Sequence, residues 1–365
     1  MTHDLTTIVP HFDVPGTFQG GEPYGSGHIN DTYLVTFSSN GTETPYILQR
    51  INHDVFTNPV ALMENVERVT EHTRNKLIEL GAGHVERRAL TLIPSHDGTC
   101  YHQDGNGNVW RMYIFITDAQ TYDTIETTTQ AYEAARAFGR FQELLADLPA
   151  PRLHETIPNF HHTRSRFETL KKTIEADPLN RAAQAQPEIA FALEHEPMVD
   201  VLLDLQAQGL IQECVTHNDT KLNNVMIDNN TSQGICVIDL DTVMPGFLLY
   251  DFGDMVRTAT SPAAEDERDL SKIQMRMPMF EALAQGYITA VGDVLTAKER
   301  ELLPFSGKLL TFECGIRFLA DFLVGDTYFK THRDGHNLDR CRTQFRLIEC
   351  IEDKEEEMAA FASKV

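Results

Sequence analysis

Three polar residues in one short stretch, His217, Asp219 and Asn224 of VTHNDTKLNNVMID, stand in the spacing H-x-D-x-x-x-x-N. A carboxylate five residues before a side-chain amide is the layout of a phosphoryl-transfer loop, in which the Asp takes a hydroxyl proton and the Asn holds magnesium. Asp239 follows fifteen residues after Asn224, where the apolar run ICVID ends in a carboxylate. Magnesium takes hard oxygen ligands and keeps several waters, so Asn224, Asp239 and nucleotide phosphates make a sufficient set. Asp219 then acts as the base, accepting the proton and holding the acceptor oxygen in line with phosphorus. The competing reading makes Asp219 a turn cap and Asp239 a strand-end carboxylate. Lys221 either neutralises charge on the transferring group or is a surface lysine, His217 reads as a brace of the loop, and Asp241 stands where it could assist at a second metal position.

Further upstream, Gly25, Ser26 and Gly27 of YGSGHIN sit where a hairpin could close over phosphates, because residues without Cβ let backbone amides approach an anion. No G-x-x-x-x-G-K-[ST] run occurs, and SGKLL at 306–310 lacks both the first glycine and the hydroxyl, which disfavours a P-loop. YILQRIN places Gln49 where a phosphate-binding lysine would stand on the third strand of a kinase-type lobe. Gln49 can hydrogen-bond a phosphate but brings no charge. Strand alternation points the neighbouring Arg50 to the opposite face, so the compensating cation is open, as is a partner for Glu67.

Two kinds of pattern must carry these residues. Between residues 24 and 116 short alternating runs predict strands: YGSGHINDTYLVTF and YILQRIN as a hairpin across SSNGTETP, then ALTLIP and NVWRMYIFI across HDGTCYHQDGNG. A helix from Pro59 to Leu80 interrupts them, with Leu62, Val66, Val69, Leu77 and Leu80 on one face. After about residue 117 helical periodicity dominates, at 128–148, 185–208, 265–291, 297–324 and 338–363. IQECVTHND, NVMID and GICVIDLDTV form a β-rich island over 211–243, expected as an active-site floor. The fold class expected is α+β, with a small β-rich lobe over 1–116 that binds nucleotide and a larger, mainly helical lobe over 117–365. The EDKEEE run at 352–357 reads as a solvated helix face.

Composition bounds the partners. Fifty-four acidic against thirty-one basic side chains give a net charge of −23, which opposes nucleic acid and anionic membrane surfaces. ATP is an anion too, so its site must gather backbone amides, magnesium and a few cationic side chains. Six cysteines without C-x-x-C pairs or a repeated spacing read as free buried thiols. The N-terminal MTHDLTTIVPHFDVPG has neither a basic start nor an apolar run, and no stretch approaches the ~18 apolar residues of a span, so a cytoplasmic protein is expected.

THNDTKLNN, VIDLDTVMPG and YDFGDMVR, preceded by GSGHIN and YILQRIN, resemble the aminoglycoside phosphotransferase and choline kinase superfamily over nearly the whole chain. Within it, YGSGHINDTYLV, VTHNDTKLNN, LLPFSGKLLTFECGIRFLADFL and GDTYF resemble the N-acetylhexosamine 1-kinase branch. The resemblance implies a bilobal protein-kinase-like fold with ATP in the cleft, magnesium, and phosphate transfer to the anomeric hydroxyl of N-acetylglucosamine or N-acetylgalactosamine in glycan salvage. It implies Asp219 as base, Asn224 and Asp239 as metal ligands, and His28, Arg317 and Tyr328 around the sugar. From its own surroundings, Arg317 in ECGIRFLADF is a guanidinium on an apolar helix that needs acceptors, from a sugar or a carboxylate. No activation-loop or A-P-E sequence follows Asp239, which argues against a protein substrate. Two alternatives stay open: the same fold acting on an amino alcohol, an aminoglycoside or an unacetylated hexose, and a catalytically dead nucleotide- or sugar-binding module.

Overall fold

The computed structural model describes residues 3–25, 27 and 29–365. Its internal contacts divide the chain into two compact units, one of Met1–Gln120, Asp147–Pro158 and Met226–Met244, the other of Thr121–Ala146, Asn159–Val225 and Pro245–Val365.

The first unit begins with a single helical turn, α1 (Leu5–Ile8), and is built on an antiparallel sheet in the order β1-β2-β3-β5-β4. Its strands are β1 (Thr17–Pro23), β2 (Asp31–Ser39), β3 (Thr42–Arg50), β4 (His102–Gln103) and β5 (Val109–Ile114). The predicted hairpin is β2–β3, and it turns on Asn40 and Gly41 at φ of 52° and 81°. Positive φ at both central residues matches the right-handed twist of the strands, which is why Asn-Gly serves there. Val35, Leu48, Trp110 and Met112 alternate onto one face and are fully buried with Phe12.

Strand β1 has no such signal. TFQGGEP shows no apolar alternation and stays largely exposed, held by its ladder to β2. The expected strand ALTLIP is only extended chain with one bridge, Leu92 to Tyr113, and Pro94 ends its pairing capacity. Helix α2 (Pro59–Glu79) has Pro59 at its start and Asn58 Oδ1 accepting from Ala61 N. It buries Leu62, Val66, Val69 and Leu77, but Leu80 lies beyond the last turn and is 64% exposed. The short α3 (Val85–Arg88) follows; β6 (Ala119–Gln120), β8 (Val225–Asp228) and β9 (Gly234–Val237) make a second small sheet.

Helices build the second unit, apart from β7 (Cys214–Thr216), which pairs with β10 (Met244–Gly246). They are α4 (Thr128–Leu145), α5 (Thr163–Ala176), α6 (Gln186–Glu194), α7 (Val201–Ala207), α8 (Leu248–Ala259), α9 (Met277–Val291), α10 (Ala297–Glu301), α11 (Leu303–Val324), α12 (His336–Glu352) and α13 (Glu355–Ala362). Several expected helices are shorter than their periodicity. The 185–208 run breaks at Pro197 into α6 and α7, and the 297–324 run breaks at Leu302, with Pro304 opening α11. Residues 265–276 hold no α-helix, only a 3₁₀ turn at Leu270–Lys272: Pro278 sets the start of α9, and the Arg276 guanidinium instead caps α8 through the carbonyls of Ala259 and Thr260, each at 3.0 Å. All six cysteines are free, but only Cys236, Cys341 and Cys350 are buried as expected, while Cys100, Cys214 and Cys314 are partly exposed. No helix among the described residues is long and apolar enough to cross a membrane.

Close packing of α4 on α9 depends on Gly139 and Gly286. A Cβ on Gly286 would stand 2.3 Å from the Tyr132 carbonyl oxygen, and one on Gly139 2.8 Å from that of Tyr287. Both obstacles are backbone, which cannot rotate aside. Gly286→Ala is therefore expected to lower unfolding free energy by roughly 1–3 kcal/mol despite its better helix propensity, measured by urea denaturation.

Candidate functional site

In the second unit, Asp219 sits on a loop clamped from below by α8. The Asp251 carboxylate accepts from the backbone N–H of His217 at 2.9 Å and of Asn218 at 2.7 Å, and from Gln142 Nε2 at 2.5 Å. Asp251 is fully buried, and burial pushes its carboxyl up against the pull of His217 and these donors. Thr220 Oγ1 donates to the Asp251 carbonyl at 2.6 Å, and Thr216 Oγ1 to Asn218 Oδ1 at 3.0 Å. Asn218 is thereby kept at φ 65°, a left-handed conformation that needs such support. His217 is buried edge-on to Phe138 and Phe141, with Nδ1 accepting from Asp219 N at 3.3 Å. It therefore packs under the loop.

The Asp219 side chain keeps 27% of its surface exposed. Its Oδ2 lies 3.0 Å from Lys221 Nζ and accepts from Asn224 Nδ2 at 3.1 Å, while the same Asn224 nitrogen donates to the Asp219 carbonyl at 2.8 Å. The spacing of Asp and Asn thus closes a compact turn whose last residues, Leu222–Asn224, are a 3₁₀ turn. With its nitrogen spent on Asp219, Asn224 has Oδ1 left, which accepts no hydrogen bond among the described residues.

Arg317, on α11 of the same unit, is half-buried in a ring of aromatics. Its guanidinium carbon lies 5.6, 5.9 and 5.5 Å from the ring centres of Phe160, Tyr328 and Phe329. It makes no ion pair or hydrogen bond among the described residues; the Glu313 carboxylate, one helical turn back, feels its charge but pairs with His161 instead. Tyr328 is 65% exposed. A second guanidinium, Arg166, donates to the Phe160 carbonyl, and its burial and the nearby Arg317 charge both lower its pKa.

In the first unit, the glycine loop joins β1 to β2, with Tyr24 N donating to the Thr32 carbonyl at 2.9 Å. Gly25 has φ 82°, and Gly25 and Gly27 face open space; Ser26 and His28 lie outside the described residues. Gln49 and Arg50 point to opposite faces of β3: Arg50 pairs with Asp31 at 2.6 Å, while Gln49 Nε2 donates to Thr32 Oγ1 at 3.0 Å.

The cation beside Gln49 is Arg111, directly opposite it in the β3–β5 register. Arg111 Nε and Nη2 donate to Gln49 Oε1 at 3.0 and 2.9 Å, and Nη1 pairs with Asp241 Oδ1 at 2.5 Å. Asp241 Oδ2 accepts from Asn30 Nδ2 at 2.6 Å, so both of its carboxylate oxygens are engaged. Arg111 is 1% exposed; burial opposes its charge, and Asp241, with Asp239 contributing, more than restores it. The signal for this residue was available in NVWRMYIFI, where one arginine inside an apolar strand requires a partner. Asp239 takes φ 60° and ψ 60° at the end of β9. Glu67 of α2 accepts from Cys100 Sγ at 3.1 Å; burial and this carboxylate push the thiol up to about 12, which leaves it inert.

Against known proteins, the phosphotransferase enzyme family profile matches residues 20–290. An aminoglycoside phosphotransferase from Alicyclobacillus acidocaldarius has a TM-score of 0.62 at 12% identity, over 100% of this chain and 98% of its own. A choline kinase from Cryptosporidium parvum has 0.53 at 14%, over 93% and 91%. The AMP-bound complex of a spectinomycin phosphotransferase has 0.52 at 12%, over 100% and 99%. At these identities the shared property is the fold, a β-sheet unit followed by a helical one.

Proposed function

We propose that this chain, which belongs to the phosphotransferase enzyme family, transfers the γ-phosphoryl group of ATP to the anomeric hydroxyl of an N-acetylhexosamine, giving the sugar 1-phosphate and ADP. The observation that carries the reading is the Asp219 loop. Its carboxylate is oriented by Asn224, and its backbone is held by Asp251 in a conformation the chain would not adopt unaided. Asp219 takes the proton of the attacking hydroxyl as the new O–P bond forms and the bond to the β-phosphate oxygen breaks. Lys221, 3.0 Å from the same carboxylate, is placed to offset charge on the transferring group.

Asn224 Oδ1 and the Asp239 carboxylate are hard oxygen donors of the type magnesium takes, and the commitment of the Asn224 nitrogen elsewhere supports that use. Bound magnesium would neutralise charge on the nucleotide phosphates. The nucleotide reading assigns Gly25, Ser26 and Gly27 to the phosphates through backbone amides, and Gln49 as a neutral donor beside them. Arg111, one strand over, has its charge balanced by Asp241, and it donates twice to Gln49 Oε1, orienting the amide that this reading turns to the phosphates.

For the acceptor, Arg317 with Tyr328 supports a sugar: a guanidinium with open donors suits ring hydroxyls, and aromatic faces suit the apolar face of a pyranose. His28 joins them in this reading. Choline, ethanolamine and aminoglycosides are cations, and the Arg317 and Arg166 pair would repel them. The intact Asp219, Asn224 and Asp239 set favours turnover over a binding module, in a cytoplasmic setting where ATP is plentiful.

The test is ADP release with magnesium across an acceptor panel. N-acetylglucosamine and N-acetylgalactosamine are expected to support turnover, with glucose, galactose, choline and kanamycin roughly 10²-fold or more lower in kcat/KM. Preference for a cationic acceptor would contradict the sugar reading. Binding of ATP and sugar without turnover would support the binding module instead.

A further inference from the structure

We infer that His161 is a positioning residue for Asp219, an imidazolium that fastens the backbone of the catalytic loop to the helix bearing Arg317. The inference rests on the reading of Asp219 as the base. His161 is buried, and its two ring nitrogens reach two different elements: Nδ1 lies 2.8 Å from Glu313 Oε1 on α11, and Nε2 lies 2.9 Å from the Asn218 carbonyl oxygen. A backbone carbonyl only accepts, and so does an ionised carboxylate, so both nitrogens carry protons and the ring is a cation. Glu313 is 1% exposed and its other oxygen accepts from Thr163 Oγ1 at 2.7 Å, which completes its hydrogen bonding.

The charged groups that act on this ring are Glu313 from α11 and Asp254 from α8, while Arg317 of α11 acts on Glu313, as does Arg166 of α5, and the Phe160 and Tyr250 rings cover the imidazole at 4.6 and 5.3 Å. Asp254 is itself paired with Arg257. Burial works against the charge on His161 and on Glu313, and their mutual attraction outweighs it, raising the histidine and lowering the carboxyl.

The consequence lies in what the Asn218 carbonyl does. It belongs to the peptide unit that leads into Asp219, and Asn218 is held at positive φ by Asp251 on its N–H side. His161 fixes the carbonyl side, so the direction in which Asp219 leaves the loop is set from both ends. Glu313 precedes Arg317 by four residues, one helical turn, so the same link ties the loop to the acceptor-binding face of α11.

Two readouts test this. Ring nitrogen NMR of the wild-type protein, with His161 assigned through ring-to-backbone correlations, is expected to show both nitrogens protonated at pH 7.5. A neutral ring, with the proton on Glu313, would overturn the inference, and this measurement survives a variant that fails to fold. In His161→Gln, kcat is expected to fall roughly 10²-fold, as for a misplaced reacting group, with KM for ATP within about twofold. Glu313→Gln keeps an acceptor for Nδ1 but removes the charge, so kcat should acquire an alkaline limb as the ring deprotonates. Unchanged kcat in a cooperatively melting His161→Gln overturns the positioning role. If Asp219→Asn retains turnover, it is the base assignment that fails, whatever His161 does.

Discussion

Replacing Asp219 with Asn lowers kcat on the order of 10²–10⁴-fold, the range carried by a positioned general base, while the thermal midpoint stays within a few degrees of the parent. The side chain is isosteric, and its oxygen can still accept from Asn224 Nδ2, so the turn through Asn224 is retained. Its surface is 27% exposed and it carries no part of the buried core, which is why stability is spared. Lys221 loses an ion pair that is itself largely solvated and contributes little. The check is steady-state ADP release at saturating ATP and sugar, beside circular dichroism melts. Turnover near the parental rate removes Asp219 from the chemistry.

Arg111→Met is expected to act on both stability and nucleotide binding. It strands the Asp241 carboxylate, whose side chain is 3% exposed, without its cation, at a cost of roughly 3–5 kcal/mol in unfolding free energy. Among the described residues Asn30 alone remains as donor to that carboxylate, and Gln49 Oε1 loses the two donors Arg111 gave it. Arg111→Met combined with Asp241→Asn removes the stranded charge and should recover part of the stability. It should not recover KM for ATP, because Gln49 Oε1 still lacks the two donors that orient it. Arg111→Lys keeps the charge without the fork that spans Gln49 and Asp241, and is expected to fall between the two. Urea denaturation and KM for ATP separate these effects; an unchanged KM in the folded double variant would reduce Arg111 to a structural ion pair.

The residues legible from sequence were those whose partners are local. Asp219 and Asn224 meet within five residues, and their spacing closes the turn that joins them. Arg111 in its apolar strand signals a need for a partner without naming it, and His161 gives no signal at all, because their partners lie 62, 130 and 152 residues away, at Gln49, Asp241 and Glu313. The fold divides similarly. Strand β2 and helix α2 announce themselves through one apolar face each, and β5 through a short apolar run buried on both faces. Helix α8 has a polar stripe as well, Asp251, Asp254 and Thr258, but ten of its residues are buried, both aspartates among them, so a stripe that by pattern belongs to solvent turns inward. That helix carries Asp251, the clamp under the catalytic loop, and its burial is what kept one of the site's main supports out of the pattern.

What separates an anomeric kinase from every other acceptor reading is the position of the phosphate on the product. Incubation of the protein with ATP, magnesium and N-acetylglucosamine or N-acetylgalactosamine, followed by proton-coupled phosphorus NMR, reads that position directly. The account predicts a sugar phosphate whose phosphorus couples to the anomeric proton, formed with one ADP per sugar consumed. Phosphorus coupled to the methylene protons of C6 would contradict it.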